Sequence, residues 1–188
     1  MKKKRKIYQL HTNVHKACSN DPLREWMTHV TFWDGYAYAT DAHVLIKQSL
    51  TEIGFKEKDL PMLHGRMMSP GKMAALLKAE VVVVNEHGIL DYDNGIQYNW
   101  SRQVIEFHVS PPFLTILANA SKDAADIEGA IGFNPGVMKQ AMSLFPSHGA
   151  LRLQFYGRNR GVVITPECQD TDITVIAMPA MLMDYLKG

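Results

Sequence analysis

The chain has 188 residues, of which 46% are hydrophobic and 21% charged, and its formal net charge is +1. This composition predicts a globular protein with one core or two small ones, and it excludes a strong overall field for nucleic acid. Two cysteines are too few for a disulfide scaffold, and the longest aliphatic run, residues 81–84, is far shorter than the ~20 residues of a membrane helix. Together with a basic start that no apolar stretch follows, these features predict a cytoplasmic protein with reduced thiols and no membrane partner.

The first third of the chain predicts β-structure. Two β-rich runs flank Asp34 and Gly35, a pair that readily adopts the positive φ angles of a type I′ turn, and they predict a β-hairpin. Weak helical propensity over 11–19 predicts at most one short helical turn. The strands predicted in this part are 6–11, 29–33, 36–40 and 44–48.

Two helices are predicted by the same local signal. Ser69 can cap free N–H groups and Pro70 loses no hydrogen bond at the first helical position; Asn134 and Pro135 repeat this arrangement. Apolar residues then recur at helical spacing after each pair. The first helix is followed by predicted strands at 80–85, 89–92, 96–99 and 104–108. The second follows a linker at 118–126 and a strand at 127–133, and it precedes strands at 151–155, 162–165 and 174–178.

These elements form an internal repeat. A helix followed by several strands in residues 66–109 recurs in 130–179, and residues 6–50 supply similar strands without a convincing helix. We therefore predict an α+β fold of three units. The periodicity alone is equally compatible with an ordinary α+β protein of short strands.

An enzymatic site is a competing hypothesis. Asp41 and His43 lie two residues apart and could act as a metal-ligand pair or a general base, with His64, His87 and His108 as further candidates. The sequence has no HExxH motif, no paired cysteine motif and no glycine-rich phosphate loop. A catalytic or metal site is therefore not predicted.

Two distant segments carry a resemblance to a known family. Residues 38–46 read YATDAHVLI and residues 175–182 read VIAMPAML. They resemble the two strands that form the peptide-binding pocket of the bacterial DNA polymerase III β subunits, the sliding clamps. Residues 21–45 and 112–117 resemble the middle domain of that family, and 131–145 and 151–182 resemble the end of its last domain. The family's first domain and the front half of its last domain have no counterpart.

This resemblance implies a DNA-clamp-like fold of repeated helix-plus-antiparallel-strand units. A middle-domain-like part would span 1–117 and a half-domain would span 118–188. It also implies a non-enzymatic protein without cofactor or metal, a tether or docking platform for replication or repair proteins. The implied partners are double-stranded DNA without sequence preference and polymerase- or clamp-loader-type peptides. The alternative function is a clamp-derived interaction module that does not encircle DNA.

The family's functional positions map onto two sets of residues. Aliphatic and thioether side chains at the first set would form an apolar groove for a peptide leucine or phenylalanine. The implied groove comprises Thr40, Ala42, His43, Val44, Leu45, Pro111, Ile116, Ile176, Met178 and Ala180. The implied DNA contacts, which would engage phosphates, are Arg66, Lys72, Lys78 and Lys139.

The pocket motif departs from the family at several positions. Ala42 stands where the family has glycine, Val44 where it has arginine, and Ala180 and Met181 where it has a Met-Arg pair. These departures weaken the expectation that the usual partner peptide is recognised.

The odd number of units bears on assembly. A third unit without a mate leaves a sheet edge and an apolar face unpartnered, which favours self-association into a homo-oligomer or binding of a partner chain. A ring of twelve units, as in the family, would need four copies of this chain. The alternative is a monomeric module in which the first unit simply extends the sheet.

Overall fold

The computed structural model describes residues 9–104, 112–120, 131–146, 149–157, 160–167 and 171–180. The strands lie in two sheets. Their bounds are β1 Val30–Trp33, β2 Tyr36–Thr40, β3 Val44–Ser49, β4 Arg66–Met68, β5 Val82–Asn85, β6 Gly88–Asp91, β7 Ile96–Asn99, β8 Arg102–Gln103, β9 Leu151–Gln154, β10 Val162–Pro166 and β11 Ile173–Ala177.

The main sheet has eight antiparallel strands in the order β8-β4-β1-β2-β3-β11-β10-β9. Its fifth and sixth strands, β3 and β11, pair although they are more than 120 residues apart in the chain, and Val44 faces Ala177. The three strands β5-β6-β7 form a second, smaller antiparallel sheet. The α+β architecture predicted from the sequence is therefore confirmed.

Within the described residues, five short α-helices and three 3₁₀ turns connect the strands. Their bounds are α1 Leu50–Ile53, α2 Leu60–Leu63, α3 Pro70–Leu76, α4 Pro112–Ala120 and α5 Pro135–Ser143, with 3₁₀ turns η1 Val14–Ala17, η2 Glu25–Thr28 and η3 Glu57–Asp59. The predicted helix starts are confirmed at Pro70 and Pro135. Asn134 caps α5, since its side-chain oxygen accepts the Gly136 N–H at 2.8 Å.

The predicted hairpin is confirmed with its turn. Asp34 and Gly35 have φ angles of 47° and 79°, the left-handed values that a two-residue type I′ turn requires. The turn fixes the register in which Trp33 faces Tyr36 and Thr31 faces Tyr38.

Apolar residues cover both faces of the main sheet. In β3 the side chains of Val44 and Ile46 enter the larger core, whereas Leu45 between them enters a second cluster. Val175 and Ile176 in β11 divide in the same way, because successive strand residues point to opposite faces. Helices α3 and α5, turn η1 and the small sheet contribute to the larger core, and α4 covers the other face.

The helix α4 corrects one sequence-based expectation. Residues 118–126 were expected to form a linker, but 118–120 belong to α4. The reason lies in tertiary packing: the Phe113 ring stacks on Tyr38 with centroids 4.1 Å apart, and this contact holds the helix against the sheet. Ser110-Pro111-Pro112 resembles the Ser-Pro signal before α3, but a pair of prolines also suits the end of a sheet, so the local sequence does not by itself predict this helix.

The remaining differences are small. A strand was expected over 6–11, but residues 9–11 are not in a strand; the His11 N–H donates to the Ile53 carbonyl. Of the strand expected over 104–108 only Val104 is described, and it is not in a strand. The short strands β4 and β8, and α1 and α2, were not anticipated.

Three units repeat along the chain. Unit 1, residues 9–64, carries η1 and β1-β2-β3; unit 2, residues 66–104, carries β4, α3 and β5 to β8; unit 3, residues 131–180, carries α5 and β9-β10-β11. Units 1 and 3 meet at the β3–β11 pairing and share the larger core.

Candidate functional site

The β3–β11 pairing brings the two segments of the family resemblance together. Leu45 faces Ile176 and Val44 faces Ala177 in the antiparallel register. Beyond the last pair, the Met178 N–H donates to the His43 carbonyl at 2.8 Å. Residues 38–46 and 175–178 are therefore neighbours along one seam of the main sheet.

A surface cavity of about 360 Å³ opens beside this seam. Ile176 forms part of its wall, and Met178 is 39% exposed at its side. The opposite wall is the C-terminal half of α4, where Ile116 is 37% exposed. We call this cavity the groove; its lining residues are Ile116, Asn119, Ala120, Arg160, Gly161, Ile176 and Met178.

Gly161 keeps the groove open. A Cβ atom at this position would lie 2.4 Å from Ile176 Cγ2 and 3.3 Å from the Met178 sulfur. Any larger residue would therefore displace the two side chains that line the groove. Asn119, Ala120, Arg160 and Gly161 were missed from the sequence, because no local pattern shows that 160–161 and α4 meet at this seam.

Three predicted groove residues are buried rather than exposed in it. Thr40 and Leu45 are each 3% exposed, and Leu45 belongs to the cluster beneath α4. Val44 points to the other face and lies in the larger core. We therefore correct its assignment: Val44 does not line the groove, because alternation along β3 sends its side chain away from it.

The remaining predicted groove residues flank the cavity or lie outside the described residues. Ala42, His43 and Ala180 are exposed near the seam. Pro111 lies outside the described residues.

Asp41 shapes the turn that ends the first segment. One of its carboxylate oxygens accepts the N–H groups of His43 and Val44, at 2.9 and 2.8 Å, and the other accepts the Gln140 amide of α5 at 3.0 Å. Ala42, which lies between Asp41 and His43 in the chain, has a φ angle of 79°, the left-handed conformation that glycine adopts most readily. The backbone geometry thus suits the glycine found in the family at this position.

Turn η1 lies between α3 and α5 on the face of the main sheet opposite α4. The Asn13 amide donates to the Ser143 carbonyl at 3.1 Å, which ties η1 to α5, and η1 also contacts α3. We call α3, η1 and α5 together the helical face. The residues that form these three elements include lysines but no aspartate or glutamate.

The predicted DNA-contacting residues are distributed over this face and its edge. Lys139 on α5 is exposed, Lys78 is exposed just beyond α3, and Lys72 on α3 donates its ammonium to the Asn99 carbonyl at 2.8 Å. Arg66 lies on β4 and is half-buried. Lys16 on η1 is also exposed between the two helices, and the sequence analysis missed it because η1 has no amphipathic pattern.

The candidate acid-base residues do not assemble. The His64 ring lies against Trp33 at 4.4 Å between centroids, with its Nδ1 accepting the Asp34 N–H, and the exposed His87 Nε2 lies 3.3 Å from Glu86. Within the described ranges no group of three His, Cys, Asp or Glu side chains could hold a metal ion. His108 lies outside those ranges.

The thiol of Cys18 is held protonated. Burial, reinforced by the negative charge of Asp41, raises its pKa to about 12. This thiol is therefore a packing group rather than a nucleophile. Cys168 lies outside the described residues.

None of the helices in the described residues is long and apolar enough to cross a membrane.

The fold is similar to that of solved sliding clamps. The chain superposes on the DNA polymerase sliding clamp of Bacillus subtilis with a TM-score of 0.57 and 16% identity, over 97% of this chain and 66% of the other. For a Pseudomonas aeruginosa sliding clamp with a ligand the values are 0.56, 14%, 94% and 65%. A DnaN sliding clamp from Bartonella birtlesii bound to griselimycin gives 0.53, 11%, 90% and 62%.

No protein-family model and no curated protein sequence matches the chain. The chain has the bacterial sliding-clamp fold with a strongly divergent sequence, and it spans 66% or less of the length of each of these three structures.

Proposed function

We propose that this protein is a non-enzymatic clamp-type platform of the cytoplasm, acting in DNA replication or repair. Its groove takes the apolar anchor of a short peptide from a polymerase- or clamp-loader-type partner. Its helical face rests on duplex DNA through phosphate contacts without base recognition.

One observation carries this proposal: the β3–β11 pairing unites the two family segments beside a groove with apolar walls. Ile116 and Met178 present exposed aliphatic and thioether groups that suit a leucine or phenylalanine side chain, and the buried Ile176 lies at the groove wall. The neighbouring positions Ala42, Val44 and Ala180 differ from the family. We therefore expect weaker binding of a standard clamp-binding peptide than a complete pocket gives.

The distribution of charge supports the DNA contact. The net charge of +1 gives no general attraction, but Lys16, Lys72 and Lys139 lie on three helical elements without a carboxylate in their ranges. The acidic residues of the short helical segments lie instead on α1, η2 and η3. A locally basic face of this kind attracts phosphates even on a nearly neutral protein.

A peptide-binding measurement tests the groove. Met178→Arg places a guanidinium in the apolar cavity, so we expect the affinity for a fluorescent polymerase-type peptide to fall about tenfold or more, a cost of ~1.4 kcal/mol or above. Met62→Arg is the matched control, since Met62 on α2 is 40% exposed and Met178 is 39% exposed.

Fluorescence anisotropy of the labelled peptide measures both variants, and circular dichroism checks that both fold. Equal affinity in wild type and Met178→Arg would refute the groove.

The alternative of an interaction module that does not encircle DNA has its own support. The chain spans only about two thirds of the length of the similar clamps. Peptide binding that persists without any affinity for duplex DNA at low salt would favour this module over the tether.

A further inference from the structure

Unit 3 repeats the strand layout of unit 1 on the other side of the β3–β11 seam. The main sheet reads β1-β2-β3 and then β11-β10-β9, so the two units are related by an approximate two-fold axis. The strand registers agree with this relation. Ala39 faces Ile46 in unit 1 as Ile164 faces Val175 in unit 3, and Leu153 of β9 in turn faces Ile164. By this correspondence β9 occupies in unit 3 the place that β1 occupies in unit 1.

The segment 131–133 occupies in unit 3 the place of β4. Both segments end one residue before an N-cap position, and the proline that follows the N-cap begins α3 in one case and α5 in the other. In unit 2, Met67 faces Arg102 of the closing strand β8; in unit 3, Gly132 forms the equivalent antiparallel bridge with Ala180. Gly132 therefore corresponds to Met67, Ile131 to Arg66, and Phe133 to Met68.

The strand β4 pairs with two strands, β8 and β1. Within the described residues, 131–133 has only the counterpart of the β8 pairing. In units 1 and 2, β4 pairs with β1, where Met68 faces Val30 and Arg66 faces Phe32. In unit 3 the only bridge described for 131–133 is the one with Ala180, and β9 is the end strand of the main sheet. Unit 3 thus contains counterparts of both β1 and β4, namely β9 and residues 131–133. Within the described residues, each of these two segments has one edge without a pairing strand.

The unpaired edge of β9 is apolar. Val30 and Phe32 are fully buried beside β4, whereas their counterparts Leu153 and Phe155 are 38% and 37% exposed. The ring of Phe133 lies 6.4 Å from that of Phe155 and continues the apolar surface. An edge strand with exposed apolar side chains is suited to pairing with a further strand.

We propose that unit 3 pairs with unit 3 of a second copy about a true two-fold axis. Residues 131–133 of one copy pair with β9 of the other, and the reverse pairing forms at the same time. The register of β1 and β4 places Leu153 opposite the partner's Phe133 and Phe155 opposite the partner's Ile131. Each copy offers both strands, so the surface is self-complementary as a two-fold interface requires.

The chemistry of the two strands permits this pairing. Residues 131–134 carry no charge, and Arg152, the one charged residue of β9, holds Glu167 through two hydrogen bonds of 3.1 and 3.0 Å. No like charges therefore oppose each other across the interface. The dimer extends the main sheet continuously and provides three complete two-unit domains in a row: units 2 and 1, the two copies of unit 3, and units 1 and 2 of the second copy.

This inference rests on the repeat and on burial, and it does not depend on DNA or peptide binding. Light scattering after size exclusion tests it on the full chain. We expect a dimer mass for the wild type and a monomer mass for Leu153→Lys, which places an ammonium in the apolar row. Val83→Lys is the matched control, because Val83 is 43% exposed on β5 and should leave the dimer intact.

A cross-linking experiment tests the register and does not require a disruptive variant. Phe133→Cys and Leu153→Cys are prepared as separate proteins, mixed and oxidised, so that a disulfide between the two positions can only be intermolecular. We expect a covalent dimer in the mixture and none when Val83→Cys replaces Leu153→Cys.

A wild-type monomer, equal dissociation by Leu153→Lys and Val83→Lys, or a mixture without the covalent dimer would each overturn the proposal.

Discussion

At the scale of single residues, the seam depends on positions with little tolerance. Ala42 holds a left-handed conformation that costs an L-residue about 1–2 kcal/mol, and the three hydrogen bonds accepted by Asp41 offset that cost. Gly161 leaves the space in which the side chains of Ile176 and Met178 lie. Both positions shape the seam through the backbone rather than through their own side chains.

His15 on η1 makes stability dependent on pH. Burial, and after it the charge of Lys16, lowers its pKa below 6.5, and its Nδ1 has no hydrogen-bond partner among the described residues. The unfolded chain therefore binds a proton at His15 more readily than the folded chain as the pH falls below 6.5. The free energy of unfolding should decrease over that range.

The substitution His15→Gln should make this decrease smaller while leaving stability above pH 6.5 nearly unchanged. Urea unfolding of both proteins above and below pH 6.5 measures the difference. An identical decrease in the two proteins would show that other groups cause the pH dependence.

At the scale of elements, α4 and the helical face divide the two sides of the main sheet between different tasks. α4 covers Tyr38, Leu45 and Ile176 and leaves the groove open at its C-terminal end. On the other side, Gln140 of α5 donates to the Lys16 carbonyl at 3.4 Å and to Asp41 at 3.0 Å, which links the helical face to the seam. The Gln140 side chain thus joins the helical face to the turn that ends the first segment of the seam.

A charge substitution tests the helical face. Lys72→Gln with Lys139→Gln removes two positive charges, and if both lysines meet phosphates the slope of log affinity against log salt should fall by about 2. The control pair, Lys47→Gln with Lys58→Gln, changes the net charge equally. Lys47 lies over the Tyr36 ring at 3.7 Å on the α4 side of the sheet, and Lys58 lies on η3.

Anisotropy of labelled duplex DNA over a salt series measures both pairs. A slope reduced equally by both pairs would indicate general charge attraction and count against a defined face.

At the scale of the whole molecule, one core joins units that are distant in sequence. Val14, Ile46, Met73 and Ile164 lie in the same buried cluster although they come from all three units. At the edge of the seam, the Ser49 N–H donates to the Asp172 carbonyl at 3.0 Å, and the Asp172 N–H donates to Glu52. The division into parts 1–117 and 118–188 remains a proposal, and the shared core does not predict that the two parts fold independently.

Unit 3 should accordingly stabilise the rest of the chain. Ile164 is fully buried on β10, and Ile164→Ala should cost about 2–5 kcal/mol. All three tryptophans lie in units 1 and 2, so their fluorescence reports on the other side of the seam. We expect the tryptophan transition and the circular dichroism transition to move together to lower urea concentration. An unchanged tryptophan transition would show that unit 3 unfolds independently.

The sequence alone determined the elements whose signals are local. The Asp34-Gly35 turn specified the first hairpin, and the Ser69-Pro70 and Asn134-Pro135 pairs specified where two helices begin, because turn and cap geometry depend on adjacent residues. Runs of β-favouring residues between turn signals predicted most of the longer strands. The resemblance of segments 38–46 and 175–182 indicated the clamp fold.

Only the tertiary structure decided which residues meet. It placed α4 across the sheet, buried Leu45 beneath it and turned Val44 into the opposite core. It also added Asn119, Arg160 and Gly161 to the groove and Lys16 to the helical face, none of which has a local signal. The physical reason is that the pairing of β3 with β11 closes a loop of more than 120 residues. This pairing decides which side chains are buried and on which face of the sheet each one lies, so no short segment predicts them.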